Sequence, residues 1–503
     1  MHYKLTNLLE HIDALALNNP SSCYQDEAGQ HSYNELYQKS NQLAAYLQTL
    51  NLQTKAPIMI YSDQSFMTVV TMLAAVKAGH AYIPVDVHSP NERVLQIEEI
   101  AQPAMILAIQ ELAFTVQTKV LSPTELQQAT FYQATALDST QSVQGDQNFY
   151  IIFTSGTTGV PKGVQISHNN LLSYVNWMLN DFDLPEHVSC LSQAPYSFDL
   201  SVMDLYPTLA LGGQLKAIGQ DITENFAQLF KVLSTLDLQE WVSTPSFVEL
   251  CLLDKNFQQA NYPNLCHFLF CGEELTNSTA KTLLQRFPEA RIFNTYGPTE
   301  ACVAVTAIEI TPTIVANYSR LPIGFAKGDT NITAVDEHGT PSCAGELLIS
   351  GPSVSKGYLN NSAKTQQVFF KQDEQQAYRT GDLGKISADG NIFYRGRTDF
   401  QVKLHGYRIE LEDIDQNLVS LAPIDQAITV PRYDTNHKVT QLISYVVLNQ
   451  PLTDPNTALK KLLAANVMDY MIPQRIEVRT SLPKTANGKI DRKTLMAEVN
   501  RHA

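Results

Sequence analysis

Two rhythms of apolar and polar positions alternate along most of this chain. APIMIYS (56–62), AYIPV (81–85) and AMILA (104–108) are short apolar runs of strand length, while QSFMTVVTMLAAVKAG (64–79) and RVLQIEEIAQ (93–102) are longer and helically spaced. The alternation resumes further on, with LLSYVNWMLNDF (171–182) and ENFAQLFKVLSTLD (224–237) as helices and QLKAI (214–218) and LCHFLFCG (265–272) as strands. Strand and helix in turn predict parallel sheets covered by helices, an α/β organisation. From about residue 320 to 398 the pattern changes to short strands punctuated by Gly, Pro and Asp-Gly turns, including GELLISG and NIFYRGR, which predicts a small β subdomain. Beyond Asp399, VTQLISYVVL, TALKKLLAANVM and RIEVRTSL read as strand, helix and strand, a compact α+β tail.

Composition narrows the class. With 503 residues, 44% of them hydrophobic and 17% charged, the chain can bury several cores, and roughly 150 residues per domain suggests about three units. No apolar run approaches the length of a membrane span, and the N-terminus lacks the apolar centre of an export signal, so no membrane insertion is expected. Seven cysteines, an odd number scattered from Cys23 to Cys343 without a CxxC pair, argue against a disulfide framework or a zinc site and for a reducing cytoplasm. The net charge of -15 is uneven: residues 401–503 carry 13 Lys and Arg against 11 Asp and Glu, so the acidity lies in residues 1–400. An acidic bulk disfavours nucleic acid, whereas the less acidic tail can accept an acidic protein partner.

One segment carries chemistry on its face. In YIIFTSGTTGVPKGV (150–164) an apolar strand runs into Thr154, Ser155, Gly156, Thr157, Thr158, Gly159 and Lys162. Glycines allow backbone amides to turn inward, hydroxyls add donors and the lysine adds charge, a cradle suited to polyphosphate. Lys162 is followed by Gly163, not by Ser or Thr, so this is not the P-loop of kinases and GTPases. Far downstream, LPKTANGKIDR (482–492) places Lys489 in an Asn-Gly turn.

Taken with FDLS (198–201), NTYGPTE (294–300), YRTGD (378–382) and GRTDFQVKLHGYRIEL (396–411), these segments make the chain similar, over its whole length and in order, to the adenylate-forming enzyme superfamily. SFDLSVMDLYP, FLFCGEELT and NTYGPTEACVAVT further resemble the members that load D-alanine onto a carrier protein for D-alanylation of lipoteichoic acid. The resemblance implies a large N-terminal domain (1–398) of two doubly wound lobes plus a β-barrel, and a small mobile α+β domain (399–503) with a hinge at Asp399. It implies ATP and Mg2+ as cofactors, and D-alanine and a phosphopantetheinylated D-alanyl carrier protein as partners.

Roles follow the same resemblance. Lys489 is expected to be catalytic, reaching the substrate carboxylate and α-phosphate where positive charge is needed as two anions meet. Thr154, Ser155, Thr157, Thr158 and Lys162 are candidate phosphate contacts. Gly272, Glu273, Asn294, Tyr296, Gly297 and Thr299 belong to the nucleotide side, with the Tyr296 ring offered to adenine. Asp382, aided by Arg397, can accept from the ribose hydroxyls. Glu300 is the expected magnesium contact, since that ion commonly takes only one or two carboxylates. Asp199 either pairs with a substrate ammonium or caps the following helix. Cys271 and Val303 are expected to shape the alanine methyl pocket; Cys271 can otherwise be an inert core thiol, and the adenylate mechanism needs no cysteine nucleophile. Two other functions stay open: an adenylation enzyme for another small amino acid, and a noncatalytic nucleotide-binding relative.

Overall fold

A computed structural model of the chain describes residues 3–133, 137–156, 159–435, 437–485 and 490–501. Two largely parallel sheets form the bulk of it. The first has six strands in the order Val120–Leu121, Met105–Ala108, Ile58–Ser62, Tyr82–Asp86, Asn148–Thr154 and Lys162–Ser167. Its centre is fully buried, which is why these strands read as continuous apolar runs and not as alternating ones. The second has nine strands and includes Ser189–Ser192, Gln214–Ala217, Glu240–Ser243, His267–Phe270 and Arg291–Tyr296, all in parallel pairings. One continuous apolar cluster, from Leu8 through Tyr150, Met203 and Leu269 to Ile349, lies between the two sheets and extends to the third.

That third sheet is antiparallel and six-stranded, built from residues 331–397, and matches the β subdomain read from the turn-rich sequence. The tail has its own cores, one around Ile414, Leu442 and Leu463 and a second around Val430, Tyr445 and Leu495. The expected helices at 64–79, 93–102 and 171–182 are present as Phe66–Lys77, Asn91–Ala101 and His168–Asp181. The segment 224–237 is helical only over Phe226–Leu233, because the Asn225 side chain accepts from Gln228 N and starts the helix there. TALKKLLAANVM likewise forms a helix over Pro455–Leu463 and stops short of its apolar end.

Two features position the site. The Leu200–Ala210 helix lies between the sheets and is buried along its entire length, so its first residues are held rigidly at the sheet ends. The hairpin formed by Gln401–Leu404 and Tyr407–Glu410 projects from the tail against the N-terminal domain. Its tip residue Gly406 has φ +86, a left-handed conformation suited to glycine.

Candidate active site

Strand Asn148–Thr154 delivers the glycine-rich loop to the ends of the first sheet. The Thr154 hydroxyl is buried there without a hydrogen-bond partner, an orphaned donor of the kind a phosphate oxygen would satisfy. Ser155 Oγ donates to the carbonyl of Arg408, 2.9 Å away on the hairpin. Lys162 is buried with its ammonium 3.4 Å from Glu410 Oε1, also on the hairpin, and 5.6 Å from the centre of the Tyr358 ring. Burial, and then Arg408, push the Lys162 pKa down from its ordinary value. Thr157 and Thr158 lie outside the described residues.

Glu300 stands in a short 3-10 turn, Thr299–Ala301, just beyond the strand Arg291–Tyr296. It is completely buried; one oxygen accepts from the Tyr358 hydroxyl at 2.8 Å and the other from Arg408 Nη1 at 2.7 Å. Burial alone would raise its pKa, but Arg408 and Lys162 together hold it down to about 2. A permanently ionised, lone carboxylate suits a magnesium ion that completes its shell with phosphate oxygens and water. Among the described residues no cluster of three His, Cys, Asp or Glu could hold a metal by itself. In this arrangement the Arg408 cation neutralises the Glu300 carboxylate.

A cavity of about 40 Å³ lies beside the start of the Leu200–Ala210 helix, and Asp199, Cys271, Thr299 and Val303 line it. Asp199 sits at the helix's capping position, yet its carboxylate makes no capping bond, which leaves it free to face the cavity. Desolvation raises its pKa to about 6, moderated by a bond with Thr299, and among the described residues no cation pairs with it within 4 Å. Cys271 ends the strand His267–Phe270 and points its thiol 3.6 Å from the Val303 carbonyl. Burial pushes that thiol's pKa up, so it is a neutral wall and not a nucleophile. Cys302 and Val303 both have positive φ, 57° and 70°, which turns the Val303 carbonyl back toward Cys271.

Asp382 and Arg397 line the same cavity on its other side. Asp382 is buried and accepts from the Tyr296 hydroxyl at 2.6 Å and from Arg397 Nη1 at 2.5 Å. Arg397 also forks onto Asp399, through Nε at 2.6 Å and Nη2 at 2.8 Å, so it bridges the two carboxylates. Gly272 and Gly297 line the cavity as well. Asn294 Nδ2 donates to the Pro322 carbonyl at 2.8 Å, which fixes the orientation of its amide. The Glu273 carboxylate accepts from Ser246 N at 3.1 Å, away from this cavity.

Sequence reasoning overlooked the groups that close the site. Lys403, Gly406 and Arg408 line the cavity from the hairpin, and Glu410 meets Lys162. The signal was available in GRTDFQVKLHGYRIEL, where a His-Gly turn between short strands bearing Lys403, Arg408 and Glu410 describes a charged hairpin. Tyr358 had no such signal. Lys489 lies outside the described residues; its flanks Leu482 and Leu495 pack in the tail's second core, and Arg492 pairs with Glu412 and Asp415 there.

Two sheet-built lobes, a small tail domain and a site assembled where they meet define an adenylation fold, and comparison with known proteins agrees. The chain belongs to the AMP-binding enzyme family, whose model matches residues 9–359, with the family's C-terminal domain matching residues 413–489. D-alanine--D-alanyl carrier protein ligase of Lacticaseibacillus rhamnosus is 55% identical over 99% of this chain and 100% of its own. The enzyme of that name from Streptococcus pyogenes serotype M28 is 47% identical over 99% of both chains. Among solved structures, the Vibrio cholerae adenylation domain AlmE in complex with glycyl-adenosine-5'-phosphate has the same fold, with a TM-score of 0.82 at 22% identity, covering 99% of this chain and 98% of that one. No described helix is long and apolar enough to cross a membrane.

Proposed function

We propose that this protein activates D-alanine with ATP, forming D-alanyl-AMP and pyrophosphate, and then passes the D-alanyl group to the phosphopantetheine thiol of a D-alanyl carrier protein in the cytoplasm. Full-length relatives of that name support the reading, and one observation carries it at the level of chemistry: Asp199, a buried carboxylate with no ion-pair partner within 4 Å among the described residues, faces a cavity of about 40 Å³ walled by Cys271 and Val303. A charge buried there is stabilised when a substrate ammonium arrives, and the space admits only a small side chain. A fatty or aryl acid offers no ammonium to match it.

In the first step the carboxylate of D-alanine attacks the α-phosphate of ATP; the new bond is carboxylate oxygen to phosphorus, and the bond to pyrophosphate breaks. Thr154, Ser155, Thr157, Thr158 and Lys162 hold the phosphates, Tyr296 flanks the adenine and Asp382 accepts from the ribose. Lys489 supplies positive charge to the carboxylate and α-phosphate oxygens. Glu300 would hold Mg2+, which neutralises charge on the phosphates when bound. In the second step the thiol sulfur attacks the acyl carbon and AMP leaves. A cavity of about 900 Å³ lined by Thr244, Phe247, His405 and Tyr407 lies between the domains and is the approach we assign to the thiol arm. The division at 398/399, with Asp399 as a hinge, allows the tail to present Lys489 for one step and the hairpin for the other.

The test is ATP–pyrophosphate exchange with D-alanine, L-alanine, glycine and a short fatty acid, in wild type and Lys489→Ala. Exchange strongest with D-alanine and lost in Lys489→Ala is expected. Strongest exchange with another acid would overturn the substrate, and none with any acid would overturn the activity.

A further inference from the structure

Transfer to a thiol requires the reacting sulfur to lose its proton. A free thiol titrates at about pH 8.5 and its thiolate is the nucleophile, so a base beside the thiol's path speeds the step. Two histidines, His88 and His405, line the cavity of about 900 Å³ assigned to the thiol arm. His405 lies at the exposed hairpin tip, with no hydrogen bond to its ring among the described residues. His88 is held in place. The strand Tyr82–Asp86 runs parallel to Asn148–Thr154, so Asp86 and His88 leave the first sheet at the same edge as the glycine-rich loop. Asp86 Oδ1 accepts from the His88 backbone N–H at 2.8 Å and from Nδ1 of its ring at 2.8 Å. Ser89 N closes the turn by donating to the Asp86 carbonyl at 2.9 Å. A carboxylate only accepts, so Nδ1 carries the proton and Nε2 of the neutral ring is a free acceptor. The His88 side chain is 43% exposed, open to proton exchange with water.

A second cavity, of about 90 Å³, connects this dyad to the reacting centre. Asp86, His88, Thr154 and Ser155 line it, and it shares Phe198, Thr299 and Arg408 with the cavity of Asp199 and Cys271. A D-alanyl adenylate with its ammonium at Asp199 and its phosphate at the glycine-rich loop has its acyl carbon where these two cavities adjoin. We propose that His88 is the general base of the second step, with Asp86 as the residue that positions its ring. Nε2 takes the proton from the thiol as sulfur bonds to the acyl carbon. The carbon–oxygen bond to AMP breaks, and its electron pair leaves on the phosphate oxygen. The imidazolium then returns its proton to water. This inference rests on the proposed adenylate chemistry. The hydrogen bond with Asp86 raises the His88 pKa above its ordinary value against partial burial, and the nearby Asp221 and Glu224 add to it, which favours the imidazolium formed in the step.

Synthetic D-alanyl-AMP as donor and pantetheine as acceptor isolate the second step from the first. His88→Gln should lower the single-turnover transfer rate constant at pH 7.5 by a factor of about 10²–10⁴, the usual contribution of a general base. In His88→Ala, added imidazole should restore part of the lost rate, which a merely structural role would not allow. Asp86→Asn should also slow transfer, because an amide can donate to Nδ1 and hold the wrong tautomer. The wild-type rate should level off above the His88 pKa, whereas that of His88→Gln should keep rising with pH as the thiol ionises unaided. For the same reason, replacing pantetheine by the more acidic trifluoroethanethiol should narrow the gap between wild type and variant. Transfer by His88→Gln at the wild-type rate would overturn the proposal. So would a loss that is equal for the two thiols and is not restored by imidazole in His88→Ala. Circular dichroism on the same samples separates lost catalysis from lost folding. Because the adenylate is supplied, a failed exchange assay would remove the reading of the first step while this result stood by itself.

Discussion

Gly406 approaches Thr244 so closely that a β-carbon at position 406 would lie 2.2 Å from Thr244 Cγ2. The hairpin tip can reach the N-terminal domain only because residue 406 has no side chain, and its φ of +86 independently favours glycine. Gly406→Ala is therefore expected to disfavour the docked hairpin by about 1–3 kcal/mol, the usual cost of overpacking and of a strained backbone. Transfer of D-alanine to the thiol should fall roughly tenfold to a hundredfold. ATP–pyrophosphate exchange, which does not use the docked hairpin, should persist. Parallel assays of the two half-reactions check this, and equal loss of both would refute the assignment of the hairpin to the second.

Asp199 sets a pH limb. Its pKa is raised to about 6 by burial, and only the ionised form can pair with an ammonium. For D-alanine, kcat/KM in the exchange reaction should thus fall about tenfold per pH unit below 6 and level off above it. Asp199→Asn should lower kcat/KM at pH 7.5 by a factor on the order of a hundred, as expected when one partner of a buried charge pair is removed. The residual activity should lose the acid limb assigned to Asp199. A variant with undiminished kcat/KM would show that the ammonium is held elsewhere.

How much of this was legible beforehand depends on where each interaction comes from. The buried strands and the helices at 66–77 and 168–181 were readable because their apolar spacing is local. Asp199, Cys271, Val303 and Asp382 were found through motif resemblance, and the structure brings all four to one cavity. The partners of those residues were not readable. Tyr358 reaches Glu300 across 58 residues and Arg408 reaches it across 108, contacts that no periodicity encodes. The packing partners of Asn294 and Arg397 were equally unreadable: Asn294 Nδ2 donates to the Pro322 carbonyl, and Arg397 donates to Asp382 and Asp399.

In the proposed reaction Cys271 bounds the substrate pocket, whose cavity it lines. Its thiol is buried, neutral and 3.6 Å from the Val303 carbonyl, so it acts by volume. Cys271→Ala should leave transfer to the carrier thiol intact, since no bond to this sulfur forms during the reaction. The vacated space should relax selection among small amino acids, lowering the D-alanine to L-alanine ratio of kcat/KM by about tenfold, the scale of one methyl-sized group in an apolar pocket. Exchange assays with both enantiomers measure it. Complete loss of transfer would instead indicate a chemical role for the thiol.

Two buried carboxyl groups make stability depend on pH. Asp204, on the Leu200–Ala210 helix, and Glu240, on the strand Glu240–Ser243, are wholly buried, and none of their four oxygens has a well-formed hydrogen bond. Burial raises the Glu240 pKa from 4.5 to about 8, while burial and then Glu240 raise that of Asp204. A folded-state acid pKa above the unfolded value means that the folded chain keeps a proton the unfolded chain has lost. The stabilisation from protonated Glu240 is complete below pH 4.5 and is lost as the pH climbs through about 8. Glu240→Gln removes that dependence because an amide cannot ionise. At pH 8 or above the variant should melt at least about 2 °C higher than wild type in the N-terminal domain's transition. The difference should shrink steadily toward pH 5, where both proteins hold a neutral side chain at position 240. Melting curves collected across that range decide the matter, and a stability difference that does not vary with pH would show that Glu240 is not the group that titrates.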